Sequence, residues 1–361
     1  MSAPIQNILA VAGRVRMRSA YLQMLDLLAG LDARGRSVSV VCATLPAETL
    51  MREISFPVTT WSAVGSGRSG IFRPVTFQDF YDRLKPQVIH VHGTGLRHSG
   101  RRFLNSISAP VVFTPYVTAT ETREIRRIQR RAARVIALNE HMREALVNHV
   151  GIPRERLRVV PPGVDVNQYD LLLPGIGERE AVIGAAAPLE PGRGQSTFLQ
   201  AARLLLNSGR EAQFIIGGDG PAERALRREA AKLGVEKRVT FVTRLSNYRS
   251  VISAMDVFVR PAPAGNLSYA ALQAMAMGKA VVATIAGDVP ELLEEGRTGL
   301  MVPKDDPPAL AHVLMQLLDR PEAAREMGLA ARRAVSERFN MDLLVENTLR
   351  VYEEAVLETG D

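Results

Sequence analysis

Short apolar runs rich in β-branched residues alternate with longer amphipathic stretches along the whole chain. In the first half, IQNILAV (5–11), SVSVVCA (37–43), FPVTTW (56–61), QVIHVH (87–92), PVVFTPY (110–116), RVIALN (134–139) and LRVVP (157–161) predict strands. Helical patterns such as Tyr21–Leu31 and His141–His149 lie between them. In the second half, AVIGAAA (181–187), AQFIIGG (212–218), RVTFV (238–242), DVFVRP (256–261) and AVVATIAG (280–287) take the strand role. Brief strands separated by helices predict parallel sheets covered by crossover helices. Prolines and glycines interrupt both periods at PPGVDVNQYDLLLPGIGERE (161–180). The expected fold class is therefore α/β, with two Rossmann-like doubly wound domains facing a cleft. The boundaries expected are residues 1–165 and 181–339, a linker over 166–180, and a final helical segment over 340–361.

A length of 361 residues suits two domains. With 46% apolar and 23% charged residues, disorder and disulfide-dense scaffolds are disfavoured. No run approaches the roughly 18 apolar residues of a membrane span, and the first charges follow the first apolar run, the reverse of a secretory signal. The single cysteine, Cys42, fits a reducing compartment, so a cytoplasmic location is expected. Charge is divided unevenly. Residues 1–180 carry 24 Lys and Arg against 15 Asp and Glu, a net +9, while residues 181–361 carry 21 against 23, a net −2. Forty of the 45 cations are arginine, whose planar fork suits phosphate and carboxylate.

Ligands of doubly wound sheets collect at the carboxyl ends of strands, beside helix N-termini that favour anions. The dinucleotide fingerprint G-x-G-x-x-G is missing, because Gly218 and Gly220 are followed by Glu223. No G-x-x-x-x-G-K-[ST] loop and no Asp-x-Asp occur. His90, His92 and His98 lack a carboxylate at ligand spacing, so no metal is expected.

FIIGGDGPAERALRREAAKLGVEKRVTFV, ALQAMAMGKAVVATIAGDVPELLEEGRTGLMVP, the seam RLRVVPPGVDVNQYD and the run IHVHG together resemble the GT-B glycosyltransferases of family four. The resemblance implies retaining transfer from a nucleotide sugar to a saccharide or lipid-linked acceptor, as in envelope polysaccharide or glycolipid synthesis, without metal or other cofactor. It also implies that the final helix returns to the first domain. Arg193 stands where such enzymes place a diphosphate-binding lysine, while the companion arginine's place falls on Ala187 or Pro188. The paired glutamates E-x7-E fall on Gly265, expected to face the transferred sugar, and Gln273, expected at the ribose. Asn266, Leu267 and Ser268 would turn backbone amides to phosphate, Arg244 would lie at the nucleotide base and Glu291 near the nucleotide. In the first domain the resemblance gives His92 a catalytic place beside the transferred sugar, and Gly13 with Arg14 the loop below the diphosphate.

Arg123, Arg126, Arg127, Arg130, Arg131 and Arg134 follow helical spacing, so one helix would align them in a stripe opposite Ile125, Ile128 and Ala132. Such a stripe would suit the anionic inner face of a membrane. Nucleic acid is not expected, since no aromatic interleaving accompanies the charge. The leading function is an active glycosyltransferase. The loss of three of the four hallmark polar positions, the companion arginine and both glutamates, motivates an alternative, a non-catalytic homologue that binds or regulates a partner, and an epimerase on the same fold is a third reading.

Overall fold

The computed structural model describes residues 4–14, 19–44, 54–60, 77–94, 96, 104, 107–116, 122–243, 248–265 and 269–359. The chain divides into two compact units, one of Met1–Pro162 with Met341–Asp361 and one of Gly163–Asn340.

The first unit holds a seven-stranded sheet: β1 (Asn7–Arg14), β2 (Ser37–Thr44), β3 (Val58–Thr60), β4 (Val88–His92), β5 (Val111–Thr114), β6 (Ala132–Ala137) and β7 (Leu157–Val159). Their order is β3-β2-β1-β4-β5-β6-β7 and neighbouring strands pair in parallel. Strands β4 and β5 are buried along their whole length, which explains why they read as continuous apolar runs rather than alternating ones. The last helix, Met341–Thr359, packs on this sheet. Its Tyr352 is fully buried and hydrogen-bonds His90 of β4, and Gly30 of the helix Ser19–Ala33 lies close enough to Val345 that a β-carbon would sit 2.8 Å from Cγ2.

The second unit holds β8 (Ala181–Ala186), β9 (Ala212–Gly217), β10 (Val239–Val242), β11 (Val257–Arg260), β12 (Ala280–Thr284) and β13 (Leu300–Val302), all parallel in the order β10-β9-β8-β11-β12-β13. The sequence reading did not include β13, which is only three residues long. The core joins the inner faces of these strands to Phe198, Leu199, Ala202 and Leu205 of one covering helix and Leu310, Leu314 and Leu317 of another. Asp256, fully buried before β11, ties the seam to the sheet. Its carboxylate accepts from the amides of Gly175 (2.7 Å) and Val182 (2.8 Å) and from the Arg179 fork (2.8 and 2.9 Å).

The order of both sheets reverses once, at β1/β4 in the first and β8/β11 in the second. In doubly wound sheets that reversal is where adjacent crossovers diverge and leave a crevice at the strand carboxyl ends.

Candidate functional site

At the reversal of the second sheet, three loops lie against one another without intervening side chains. The loop after β8 bonds to the loop after β9 through Ala187 N to Gly217 O (3.0 Å), Leu189 N to Asp219 O (2.9 Å) and Ala222 N to Leu189 O (2.9 Å). A β-carbon on Gly218 or Gly220 would fall 2.0 Å from the Ala187 oxygen or 2.3 Å from the Leu189 oxygen. The G-G-D-G-P run is thus required by backbone approach. On the other side, Gly194 has φ +79° and caps the helix Gln195–Asn207 with no side-chain cap, and its β-carbon position lies 1.8 Å from the Pro261 oxygen just beyond β11. The N-terminus of that helix therefore abuts the carboxyl end of β11, with its first amides free of side-chain competition, a setting that favours anions.

Arg193 sits in this junction, and its Nη2 donates to Glu190 Oε2 at 2.8 Å. The side chain is 39% exposed. Gly265, with φ +142°, lies beside Arg260, since its β-carbon would sit 2.9 Å from Arg260 Nη2. Arg260 was not anticipated from sequence. It ends β11, is buried, and among the described residues bonds at the long limit: Nη1 to Ala262 O at 3.3 Å and Nη2 to Asp288 Oδ1 at 3.4 Å. Burial lowers its pKa, the Asp288 carboxylate opposes that shift, and the Arg193 charge adds to it. The two arginines thus share one electrostatic field. The missed signal was an arginine terminating an apolar run just before a proline.

Gln273 belongs to the helix Tyr269–Ala276, whose residues are all buried. Its Nε2 is 3.1 Å from Tyr169 Oη, and its Oε1 has no hydrogen-bond partner among the described residues. Glu291 lies in the first turn of the short helix Val289–Leu292, where its carbonyl accepts from Arg338 Nη2 at 2.8 Å. Arg244 and Asn266, Leu267 and Ser268 lie outside the described residues, as does His98.

In the first unit, Gly13 is buried near the end of β1 and Arg14 is that strand's last residue. Pairing of Ala12 with His92 brings them to the same sheet edge as the end of β4. The His92 ring is fully buried, with Nδ1 3.0 Å from Tyr116 Oη and Nε2 without a partner among the described residues. The His90 ring lies beside it, tilted by 36° at 3.7 Å between ring centroids, and is satisfied at both nitrogens, by Tyr352 Oη and Thr114 Oγ1 at 2.8 Å each. Burial lowers the pKa of both rings, to about 3 for His90 and well below the ordinary value for His92, where His90 adds to the effect.

The expected arginine stripe does not form. The helix ends at Ile128, residues 129–131 turn, and β6 begins at Ala132. Helical spacing of arginines had run across a helix, a turn and a strand. Ile125, Ile128 and Ala132 are buried as anticipated, but three of the cations serve the fold. Arg126 donates to the carbonyls of His149 and Val150 (3.1 Å each), Arg131 to those of Leu104 and Ile107 (2.9 Å each), and Arg134 pairs with Glu354 and Glu358 of the last helix. Arg123, Arg127 and Arg130 are exposed. Arg131→Gln is therefore expected to cost about 1–2 kcal/mol, the worth of its lost charged hydrogen bonds, whereas Arg123→Gln with Arg127→Gln and Arg130→Gln should leave the melting temperature unchanged. Equal melting temperatures for the two variants would contradict this division.

Residues 23–168 match the Glycosyltransferase Family 4 domain and residues 180–320 the Glycosyl transferases group 1 domain. The chain belongs to the family-4-like GT-B glycosyltransferases. The chain is similar to the alpha-D-kanosaminyltransferase of Streptomyces kanamyceticus, 27% identical over 62% of the chain and 61% of the relative. It is also similar to a GDP-mannose-dependent monoacylated alpha-(1-6)-phosphatidylinositol monomannoside mannosyltransferase of Corynebacterium glutamicum, 30% identical over 53% of the chain and 55% of the relative. The chain thus spans less than two thirds of the length of these relatives. Among solved structures, Anabaena HepE in complex with UDP-glucose shares the fold with a TM-score of 0.81 at 20% identity, covering 96% of this chain and 98% of that one. WaaG, a glycosyltransferase involved in lipopolysaccharide biosynthesis, superposes with a TM-score of 0.70 at 15% identity, over 95% of this chain and 99% of that one.

Proposed function

We propose that the chain transfers a glycosyl group from a nucleotide sugar to a saccharide or lipid-linked acceptor with retention of configuration, in the assembly of an envelope polysaccharide or glycolipid. The observation that carries this reading is the second unit's switch point, where Arg193, the uncapped helix N-terminus at Gly194 and the glycine-built G-G-D-G-P loop converge. The HepE complexes with UDP and UDP-glucose and the phospholipid-directed mannosyltransferase support the donor and acceptor classes. No metal or other cofactor is part of the proposal, because the arginines and helix amides supply the positive field. Among the described residues no helix is long and apolar enough to cross a membrane. A cytoplasmic location is proposed, and within the expected stripe any peripheral contact with anionic lipid draws on Arg123, Arg127 and Arg130, the three that serve no fold contact among the described residues.

As the anomeric carbon–oxygen bond breaks, its electron pair passes to the leaving nucleoside diphosphate, and fixed cations at that oxygen stabilise the growing charge. The acceptor oxygen forms the new bond from the same face, and its proton moves to the departing phosphate. No protein carboxylate is needed for that proton. Gly265 and Gln273 are therefore compatible with turnover, although they also favour the alternative, a homologue that binds donor without reacting. Arg193→Ala should weaken nucleoside diphosphate binding by about 1.5–3 kcal/mol, the range for a charged hydrogen bond. Calorimetric titration checks this, and an unchanged affinity would remove Arg193 from the site. Release of nucleoside diphosphate in the presence of acceptor separates transfer from binding alone.

A further inference from the structure

Arg260 combines three properties that a structural arginine does not need. It is 9% exposed, yet neither of its bonds is shorter than 3.3 Å, whereas a tight guanidinium–carboxylate pair closes to about 2.8 Å. Among the described residues its five N–H donors meet two acceptors, Ala262 O and Asp288 Oδ1. The flank beside Nη2 is kept open by glycine, because any side chain at position 265 would start 2.9 Å from that nitrogen, on a backbone of φ +142° that disfavours one. A loosely tethered fork with a cleared flank has donors to spare for a ligand.

The surroundings define what would meet them. Arg260 ends the strand that borders the sheet reversal, one residue before the Pro261 oxygen on which Gly194 closes. Arg193 and the first amides of the helix Gln195–Asn207 contribute further positive potential. Each arginine faces a carboxylate that offsets its charge, Glu190 for Arg193 and Asp288 for Arg260. An arriving oxyanion would take the unused side of the fork, opposite or beside Asp288.

We infer that Arg260 is an oxyanion-binding residue of the donor pocket, with Asp288 as the counter-ion that holds it when the pocket is empty. The inference rests on the donor-site reading above. Two parts of a nucleotide sugar carry that chemistry, the diphosphate and a carboxylate borne by the transferred sugar. In the second case Arg260 would select a uronic acid over its neutral hexose.

The test uses the full chain. Wild type, Arg260→Gln and Asp288→Asn are titrated by calorimetry with UDP, GDP, ADP and dTDP, then with the glucose and glucuronate conjugates of whichever nucleotide binds. If the diphosphate is the ligand, Arg260→Gln weakens the plain nucleotide at least tenfold. If the sugar carboxylate is the ligand, the nucleotide binds equally to both proteins, while a wild-type preference for the glucuronate conjugate of tenfold or more disappears in Arg260→Gln. In either case Asp288→Asn, which frees the fork from its carboxylate, tightens the same ligand severalfold. Opposite signs for the two variants cannot arise from a shared folding defect. Unchanged affinities in Arg260→Gln, or weakening in both variants together, would overturn the inference while leaving the donor site standing. Failure of wild type to bind any of these ligands would overturn the donor-site reading and this inference with it.

Discussion

Lowering the pH from 7.5 to 5 is expected to strip about 4 kcal/mol of unfolding free energy from the first unit, through two buried histidines. His90 and His92 are fully buried with their rings tilted against one another, and among the described residues they are met by the neutral hydroxyls of Tyr116, Tyr352 and Thr114. Burial holds the His90 pKa at about 3 and the His92 pKa well below the ordinary value. In the unfolded chain both rings titrate near 6.5. Below that pH the unfolded state binds protons that the folded state refuses, so the stability present above 6.5 declines as pH falls. Each histidine contributes a slope of up to about 1.4 kcal/mol per pH unit until its folded pKa is reached. Carboxylates with lowered pKa, such as Glu354 beside Arg158 and Arg134, act only below their ordinary value of 4.5, so the window from 6.5 to 5 isolates the histidines. Urea unfolding followed by the fluorescence of Trp61, the chain's one tryptophan, should show the midpoint falling through this window. His90→Gln should roughly halve the slope. A midpoint that stays constant from pH 7.5 to 5 would mean that the pair is hydrated or already charged.

The fold class was legible because parallel strands are buried on both faces and advertise themselves as apolar runs. β13 escaped because Leu300–Val302 holds a single β-branched residue, whereas the equally short β3 and β7 lie in runs with two or three of them, FPVTTW and LRVVP. The arginine stripe misled for the opposite reason. Its spacing persisted through a turn and into β6, and the carbonyls that hold Arg131 come from residues 104 and 107, distant in sequence. Arg260 and Asp288 were invisible individually, one inside DVFVRP and the other inside GDVPE. Only the sheet order, which sets β11 beside β8 and β12, brings them together with Arg193. Sequence reading finds residues that repeat a pattern; it does not find a charge whose meaning depends on what packs around it.

Gly194→Ala is expected to destabilise the second unit by about 3 kcal/mol or more and to abolish measurable nucleoside diphosphate binding. Two costs combine. At φ +79° an alanine occupies the left-handed region at roughly 1–2 kcal/mol. Its β-carbon would also lie 1.8 Å from the Pro261 oxygen and 2.4 Å from the Pro261 carbonyl carbon. Both atoms are backbone, so no rotamer change relieves the overlap. The loop after β8 must instead withdraw from the end of β11 by more than an ångström. That withdrawal carries Arg193 and the start of the helix Gln195–Asn207 away from Arg260, which uncouples the cations that the site depends on. Gly192 supplies the control. It has φ +78° in the same loop, but nothing lies within 4 Å of its β-carbon position, so Gly192→Ala should pay the conformational cost alone, about 1 kcal/mol, and retain ligand binding. Melting temperatures of the two variants, with calorimetric titration of the nucleotide that wild type binds, separate close approach from backbone preference. Equal losses in both proteins would show that the contact between Gly194 and Pro261 is not what assembles the pocket.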